Sequence, residues 1–258
     1  MILQTPIKGV HQLAIDADIV AYSAASASQS QIKWDDELSS PTADFGKAKA
    51  IVRNMIKQYQ NHTGVKPYVL CLSDRHNFRK DWWPDYKIGR ANGERPILLG
   101  EVREWMLNEF PSMVIPKLEA DDVMSILSTS NPGEFTIVTM DKDLKGTPGK
   151  MLHVKRNGEH LSLDISPEEA KRWHYSQVLM GDGADGVPGL KGIGEKTAVK
   201  LFEQQGATWS TIVRAYEKHN RTEEEALRNA RMLKMLDNTL YVDGEIRKWE
   251  PPADELIR

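Results

Sequence analysis

Apolar positions along the first two-thirds of the chain fall into two alternating textures. Leu13–Ile15 is a short apolar run followed by Asp16, Tyr68–Leu72 a second followed by Ser73 and Asp74, and Phe135–Thr139 a third closed by Met140 and Asp141. Met113–Ile115 is a shorter example. Such bounded apolar runs predict buried strands. Between the first two, Phe45, Ala48, Ile51, Val52, Met55, Ile56 and Tyr59 recur at helical spacing, with Asp44 placed to cap that helix and Gly64 to end it. Ile97–Phe110 and Leu118–Leu127 predict two more helices. Residues 23–43, rich in Ser, Ala and Asp, read as a helix end followed by a loop, and residues 75–96 as an irregular polar, aromatic and basic segment.

Strands alternating with helices imply an α/β fold with a mainly parallel central sheet flanked by helices. In such sheets the functional crevice lies beyond the carboxyl ends of the strands. Asp16, Asp74 and Asp141 each follow a predicted strand, so three acids are expected on one edge. Beyond residue 165 the texture changes. Ser166-Pro167-Glu168-Glu169 combines a capping box with proline in the first turn. A glycine-rich stretch (181–194) and helical patterns to Leu236 follow. The expected division is an α/β core over 1–176, carrying the basic segment near 75–96, and a helical region over 177–258.

Composition adds boundaries. The 258 residues are 40% hydrophobic and 28% charged, ordinary for a globular protein. No apolar run approaches the ~18–20 residues that cross a bilayer, and Met1–Val10 lacks the apolar core of a secretory signal. One cysteine, Cys71, excludes an internal disulfide and a cysteine zinc cage. Its apolar setting predicts a buried inert thiol in a cytoplasmic protein.

The acids are the main chemical signal. Glu119-Ala120-Asp121-Asp122 opens a helix, where Glu119 and Asp122 share a face. Asp141-Lys142-Asp143 follows a strand, and Asp182 and Asp185 stand in a glycine-rich turn. With Asp16 and Asp74 these make nine, and setting them aside turns a net charge of −3 into +6. Nine carboxylates in one crevice would repel unless cations neutralised them. Oxygen ligands without cysteine or paired histidine suit Mg²⁺ or Mn²⁺, and two such ions can activate water and stabilise a leaving oxygen at phosphorus. Each acid taken alone reads as a solvated charge or a helix cap; Asp18, two residues past Asp16, is read as a cap.

Phe78-Arg79-Lys80-Asp81-Trp82-Trp83-Pro84-Asp85-Tyr86-Lys87-Ile88-Gly89-Arg90 interleaves cations with aromatics, which suits phosphates and unpaired bases. Trp82 and Trp83 are read as anchors to the core, Lys87 and Arg90 as functional. In Gly186–Ala198, Gly189, Gly192 and Gly194 would let backbone N–H groups approach a phosphate ahead of a helix, with Lys191 and Lys196 adding charge.

In combination these motifs resemble the flap endonuclease / 5′→3′ exonuclease family, over Leu13 to about Val242. The resemblance implies a resolvase-like (PIN-like) nuclease core and, at the glycine loop, a helix–three-turn–helix motif that grips duplex DNA and commonly holds K⁺. It implies a phosphodiester hydrolase using two divalent ions. Asp16, Asp74, Glu119 and Asp121 would hold the first, and Asp122, Asp141, Asp143, Asp182 and Asp185 would hold or support the second. Lys87 and Arg90 would contact the scissile phosphate, with Arg79 from the same motif. Tyr22 falls where relatives stack an aromatic on the terminal base, and equally reads as helix packing. The implied partners are flapped, nicked or branched DNA and RNA–DNA hybrids, met by a monomer in the cytoplasm of a bacterium or phage-infected host. Two departures stand out: the segment from Arg90 to Glu119 is short for a full helical arch, and Gly186 replaces an asparagine frequent in relatives. Rival readings are a haloacid-dehalogenase-type phosphatase, on Asp16-x-Asp18, a non-catalytic branched-DNA binder and a PIN-type ribonuclease.

Overall fold

The computed structural model describes residues 7–33, 39–89 and 93–256. In chain order the elements are β1 (Gln12–Asp16), α1 (Ala17–Ala27), β2 (Gln29–Lys33), β3 (Ser39–Ala43), α2 (Phe45–Thr63), β4 (Tyr68–Cys71), α3 (Phe78–Trp82), α4 (Leu99–Glu109), β5 (Ser112–Met113), α5 (Ala120–Ser130), β6 (Phe135–Thr139), β7 (Gly149–Val154) and β8 (His160–Ile165). They continue with α6 (Pro167–Met180), β9 (Gly181–Asp182), β10 (Val187–Pro188), α7 (Glu195–Gln205), α8 (Trp209–Lys218), α9 (Glu223–Leu233), β11 (Tyr241–Val242) and β12 (Glu245–Ile246). A 3-10 turn spans Lys142–Gly146. The described part of the predicted irregular segment 75–96 contains helix α3, whose first turn Asn77 caps through its side chain.

Two compact units form. The first comprises residues 1–76, 94–142 and 150–163; the second comprises 77–93, 143–149 and 164–258. The expected boundary at 176 therefore differs from the packing: α6 and the basic segment group with the C-terminal helices.

The first unit is built on a six-stranded sheet of order β5-β4-β1-β6-β7-β8. Pairings β1–β4, β1–β6, β4–β5 and β6–β7 are parallel. The chain fills one side of β1 and then returns to the other, so the strand order reverses at β1, where α/β sheets open their crevices. Strands β1 and β6 are buried throughout, as expected of a sheet covered on both faces. Helices α1, α2 and α4 contribute Val20, Val52, Ile56, Val102 and Met106 to the core over Leu13, Ile15 and Leu70. Asp44 and Gly64 bound α2 as predicted, Gly64 in the left-handed conformation at φ 74°. The loop expected within 23–43 is instead, in its described residues, the rest of α1 and the antiparallel pair β2–β3.

The second unit packs α6, α7, α8 and α9 around Tyr175, Val178, Leu179, Phe202, Trp209, Ile212 and Tyr216. The Ser166–Glu169 capping box forms as predicted. His174 is buried on α6 with Nε2 2.9 Å from the Ala230 carbonyl. Burial, and then the Lys234 charge, hold its imidazole down to about 3. The unfolded chain therefore binds a proton near pH 6.5 that the folded unit refuses. Stability from this group is complete above pH 6.5 and is lost as pH falls toward 3, in total roughly 5 kcal/mol. His174→Gln should be visibly less acid-sensitive than wild type in urea unfolding between pH 6.5 and 4; parallel loss in both proteins would clear His174 of the role.

Candidate active site

In the first unit the acids gather at the carboxyl edge of the sheet. Asp16 ends β1 and starts α1: its Oδ1 accepts the Ile19 N–H at 3.2 Å and its Oδ2 accepts the Thr139 hydroxyl at 3.0 Å. Thr139 in turn accepts the Asp141 N–H at 2.9 Å, so the ends of β1 and β6 are tied together. Burial, reinforced by the Asp141 charge, raises the Asp16 carboxyl to about 6. The buried Cys71 thiol, opposite Asp16 in the β1–β4 register, is pushed up by burial and then by the Asp16 and Asp121 charges. Asp16, Asp121 and Asp141 thus share one electrostatic neighbourhood.

Asp74 follows β4. Its carboxylate accepts the Arg75 N–H at 2.8 Å and the Lys117 N–H at 2.7 Å, while its own N–H donates to the Leu118 carbonyl. Next to it, Ser73 Oγ accepts the Ala120 N–H at 2.9 Å. These bonds seat the start of α5 against the end of β4. They place Glu119, the helix N-cap, and Asp121 and Asp122, in its first turn, beside Asp74. Asp122 is fully buried.

At this edge one residue is read differently from the sequence and another went unread. Asp18 is not a cap, since Asp16 fills that role. It forms an ion pair with Arg103 and accepts the Ser73 N–H at 3.0 Å. Arg103 also donates to the Ser73 carbonyl at 2.8 Å, so one guanidinium from α4 spans the ends of β1 and β4. A charged position on an otherwise amphipathic helix was the only signal for it.

The remaining three acids lie in the second unit. Asp143 is half-buried in the 3-10 turn. Asp182 accepts the Ala184 and Asp185 N–H groups at 2.7 and 3.3 Å. Asp185 accepts the Tyr86 hydroxyl at 2.9 Å and lies 3.5 Å from Lys87 Nζ. Lys87 sits in the left-handed region at φ 58°, and its N–H donates to the Asp185 carbonyl at 3.0 Å. A non-glycine residue in that conformation costs on the order of 1 kcal/mol and persists only where its surroundings hold it.

Among the described residues no three carboxylate, imidazole or thiol groups stand close enough together to hold an ion outright. Asp16, Asp74 and Asp182 each accept nearby backbone N–H groups, and Asp16 also accepts a hydroxyl. The donor chemistry fits a hard divalent cation: oxygen ligands around a buried Asp16 that the half-buried Asp141 repels.

The expectation for Arg79 is corrected. It is 2% exposed, with Nε and Nη2 donating to the Met232 and Lys234 carbonyls at 3.0 and 2.9 Å. These are carbonyls at the C-terminus of α9, which lack helical partners, so Arg79 clamps a helix end and has no surface for a phosphate. Arg90 lies outside the described residues. Tyr22 is 51% exposed, which removes the packing reading and leaves its ring available.

In the glycine stretch, β9 and β10 pair antiparallel with Gly181 opposite Pro188. A side chain at Gly189 would come within 1.9 Å of the Met180 carbonyl oxygen, so this glycine serves a backbone crossing rather than phosphate approach. Gly192 and Gly194 face open space, and Lys191 and Lys196 are exposed. Gly186 stands at φ 77°, in the left-handed region that glycine adopts without strain.

Residues 11–168 match the family model described as 5′-3′ exonuclease, N-terminal resolvase-like domain. The chain belongs to this 5′→3′ exonuclease family. It is 28% identical to the exodeoxyribonuclease of Enterobacteria phage T3, over 95% of this chain and 93% of that protein. It is 29% identical to the exonuclease of Escherichia phage T7, over 95% and 94%. A flap endonuclease of bacteriophage T5, solved with DNA and metal ions, shares the fold with a TM-score of 0.64 at 14% identity, covering 87% of this chain and 89% of that one. The 5′→3′ exonuclease assignment makes the chain a 5′ nuclease and sets aside the phosphatase and the non-catalytic binder.

Proposed function

We propose that the chain is a structure-specific 5′ nuclease that hydrolyses DNA phosphodiesters, at 5′ ends and at flap junctions, to 5′-phosphate and 3′-hydroxyl. The observation that carries this reading is the buried Asp16 at the centre of the sheet edge, repelled by Asp141 and flanked by Asp74 and the acidic first turn of α5. Asp16, Asp74, Glu119 and Asp121 are assigned to one divalent ion, Mg²⁺ or Mn²⁺. Asp122, Asp141, Asp143, Asp182 and Asp185 are assigned to a second or to its support. Such ions supply a nucleophile at neutral pH and Lewis-acid stabilisation of the leaving oxygen. The chain itself supplies Lys87 and Arg90 to the scissile phosphate and Tyr22 to the terminal base. The loop at Gly192–Gly194, at the start of α7, is assigned to duplex phosphates, with a K⁺ site in that loop as part of the same reading. We place this activity in a cytoplasmic monomer. The described residues contain no helix long and apolar enough to cross a membrane.

The deciding assay is purified protein with Mg²⁺ on a panel of 5′-labelled flap, nicked, blunt and RNA–DNA hybrid substrates. Cleavage of the flap or nicked DNA at its 5′ side is expected. Turnover of a small phosphate ester without any cleavage of DNA would end the reading.

The duplex grip has its own test. Lys191→Ala with Lys196→Ala should weaken duplex binding in Ca²⁺ and reduce the slope of log K against log salt by roughly 1.8, about 0.9 per lost phosphate contact. An unchanged slope would remove the glycine loop from the interface.

A further inference from the structure

The second unit holds a cavity that none of these assignments uses. It measures about 410 Å³ and is lined by Trp82, Leu227, Arg228, Arg231, Met232 and Lys248. Its size falls within the range of small-ligand sites. Two of its cations lie on aromatic faces: the Arg228 guanidinium is 4.8 Å from the Trp83 ring centroid and the Lys248 ammonium 5.5 Å from that of Trp82. Arg231 is already committed, to the Trp249 carbonyl at 3.1 Å and to Glu250. Arg228 is not: its Nε is buried without a hydrogen-bond partner, and its Nη2 makes only a long 3.4 Å bond to Asn229. A buried donor in that state has room for an acceptor from water or a bound group.

Two acids, Glu224 and Glu225, share the wall, and the Glu225 charge is felt by Arg221 and Arg228. Glu225 is occupied by the Thr222 N–H and by Arg221, and Glu224 is exposed. What remains is a cationic donor pair over the Trp83 and Trp82 rings, beside the apolar side chains of Leu227 and Met232. That combination fits a ligand carrying a planar base and an acidic phosphate.

We propose that this cavity is a subsite for one unpaired nucleotide of a DNA strand, its phosphate on Arg228 and Lys248 and its base against Trp82 and Met232. The inference rests on the reading of the chain as a DNA-binding nuclease, and it adds a contact that distinguishes tailed from blunt duplex. Trp82 and Trp83 then do more than anchor their segment to Met232 and Leu233, which they also do.

The test uses the full chain in EDTA, so that DNA is bound but not cut. Affinities are measured for a blunt duplex and for the same duplex with a short single-stranded tail carrying 5-iododeoxyuridine for photocrosslinking. The tail should add about 10-fold in affinity, the scale of stacking one base with its charge contacts. The crosslink should map to Trp82 or Met232. Arg228→Ala with Lys248→Ala should abolish the gain while keeping blunt-duplex affinity. Lys248→Ala alone, at an exposed side chain, should reduce it without disturbing the fold. A tail that adds nothing, or a gain that survives the double substitution, overturns the subsite while leaving the nuclease reading in place. Failure to bind either duplex overturns the DNA-binding reading and the subsite with it.

Discussion

Asp74→Ala will reduce single-turnover cleavage in Mg²⁺ by at least ~10³-fold and leave duplex binding in Ca²⁺ within a few-fold of wild type. The scale is that of removing a member of a charge-stabilising constellation, where losing one preorganised group already costs ~10²–10³. The structure adds a complication that decides how the experiment must be built. Both Asp74 oxygens accept backbone N–H groups, from Arg75 and from Lys117, and Lys117 is itself left-handed at φ 68°. Alanine leaves these donors without their acceptor, a cost of about 1–3 kcal/mol for each one that water cannot reach. It could therefore loosen the seat of α5 as well as delete a charge. Asp74→Asn keeps one acceptor oxygen and nearly the same shape. If the negative charge is what catalysis needs, Asn should melt within a few degrees of wild type and be as inactive as Ala. If Asn retains turnover, Asp74 is a structural seat for α5 and leaves the active site.

How much of this could be read from the sequence follows a physical rule. What depends on local spacing was legible. Helix α2 announced itself through its apolar period, Asp44 and Gly64, and α6 through its capping box. The sheet-edge acids were legible because parallel strands deliver their last residues to one side, so Asp16, Asp74 and Asp141 needed only three short apolar runs to be placed. What depends on backbone pairing without burial was not. The strands β2 and β3 are built largely from Gln, Ser and Thr, with Ile32 44% exposed, so no side-chain alternation marks them. Strand β8 does alternate Leu161, Leu163 and Ile165, yet Leu161 is 39% exposed; it is the edge strand of the sheet, and edges carry a weak burial signal.

Long-range partnerships were the other blind spot. Arg79 stands in a motif dense with cations, and its neighbours in sequence pointed to phosphate. Its partners are carbonyls more than 150 positions away, which no local pattern reveals. Asp18 and Arg103 make the same point within the first unit. The cap role fell to Asp16 because its Oδ1 reaches the Ile19 N–H, and Asp18 was left to meet a guanidinium from a helix far along the chain. An arginine in a basic segment and an arginine on a helix face look alike in sequence; only their partners separate a clamp from a contact to substrate.

Lys87→Ala is expected to slow the chemical step by ~10²-fold, with a smaller effect on DNA binding. Unlike Arg79, Lys87 keeps its charge near a surface: its side chain is 16% exposed, above the Tyr86 ring at 4.9 Å and 3.5 Å from Asp185. Tyr86 and Lys87 converge on the same Asp185 oxygen, which fixes where the ammonium points. A side chain held in that way loses little further freedom when a phosphate takes the place of the carboxylate, the condition under which a cation stabilises developing charge best. Two controls separate chemistry from folding. Lys87→Arg keeps the charge but changes its shape, and should recover only part of the rate because a guanidinium cannot occupy the same point. Tyr86→Phe keeps the ring and removes the bond to Asp185, and should lower the rate less than Lys87→Ala does. Lys87→Gly would relieve the left-handed backbone, so it should melt no lower than Lys87→Ala while being equally slow. A single-turnover rate that is unchanged in Lys87→Ala, with the melting temperature lowered instead, would make this lysine a partner of Asp185 alone and move the search for the phosphate contact elsewhere in the basic segment.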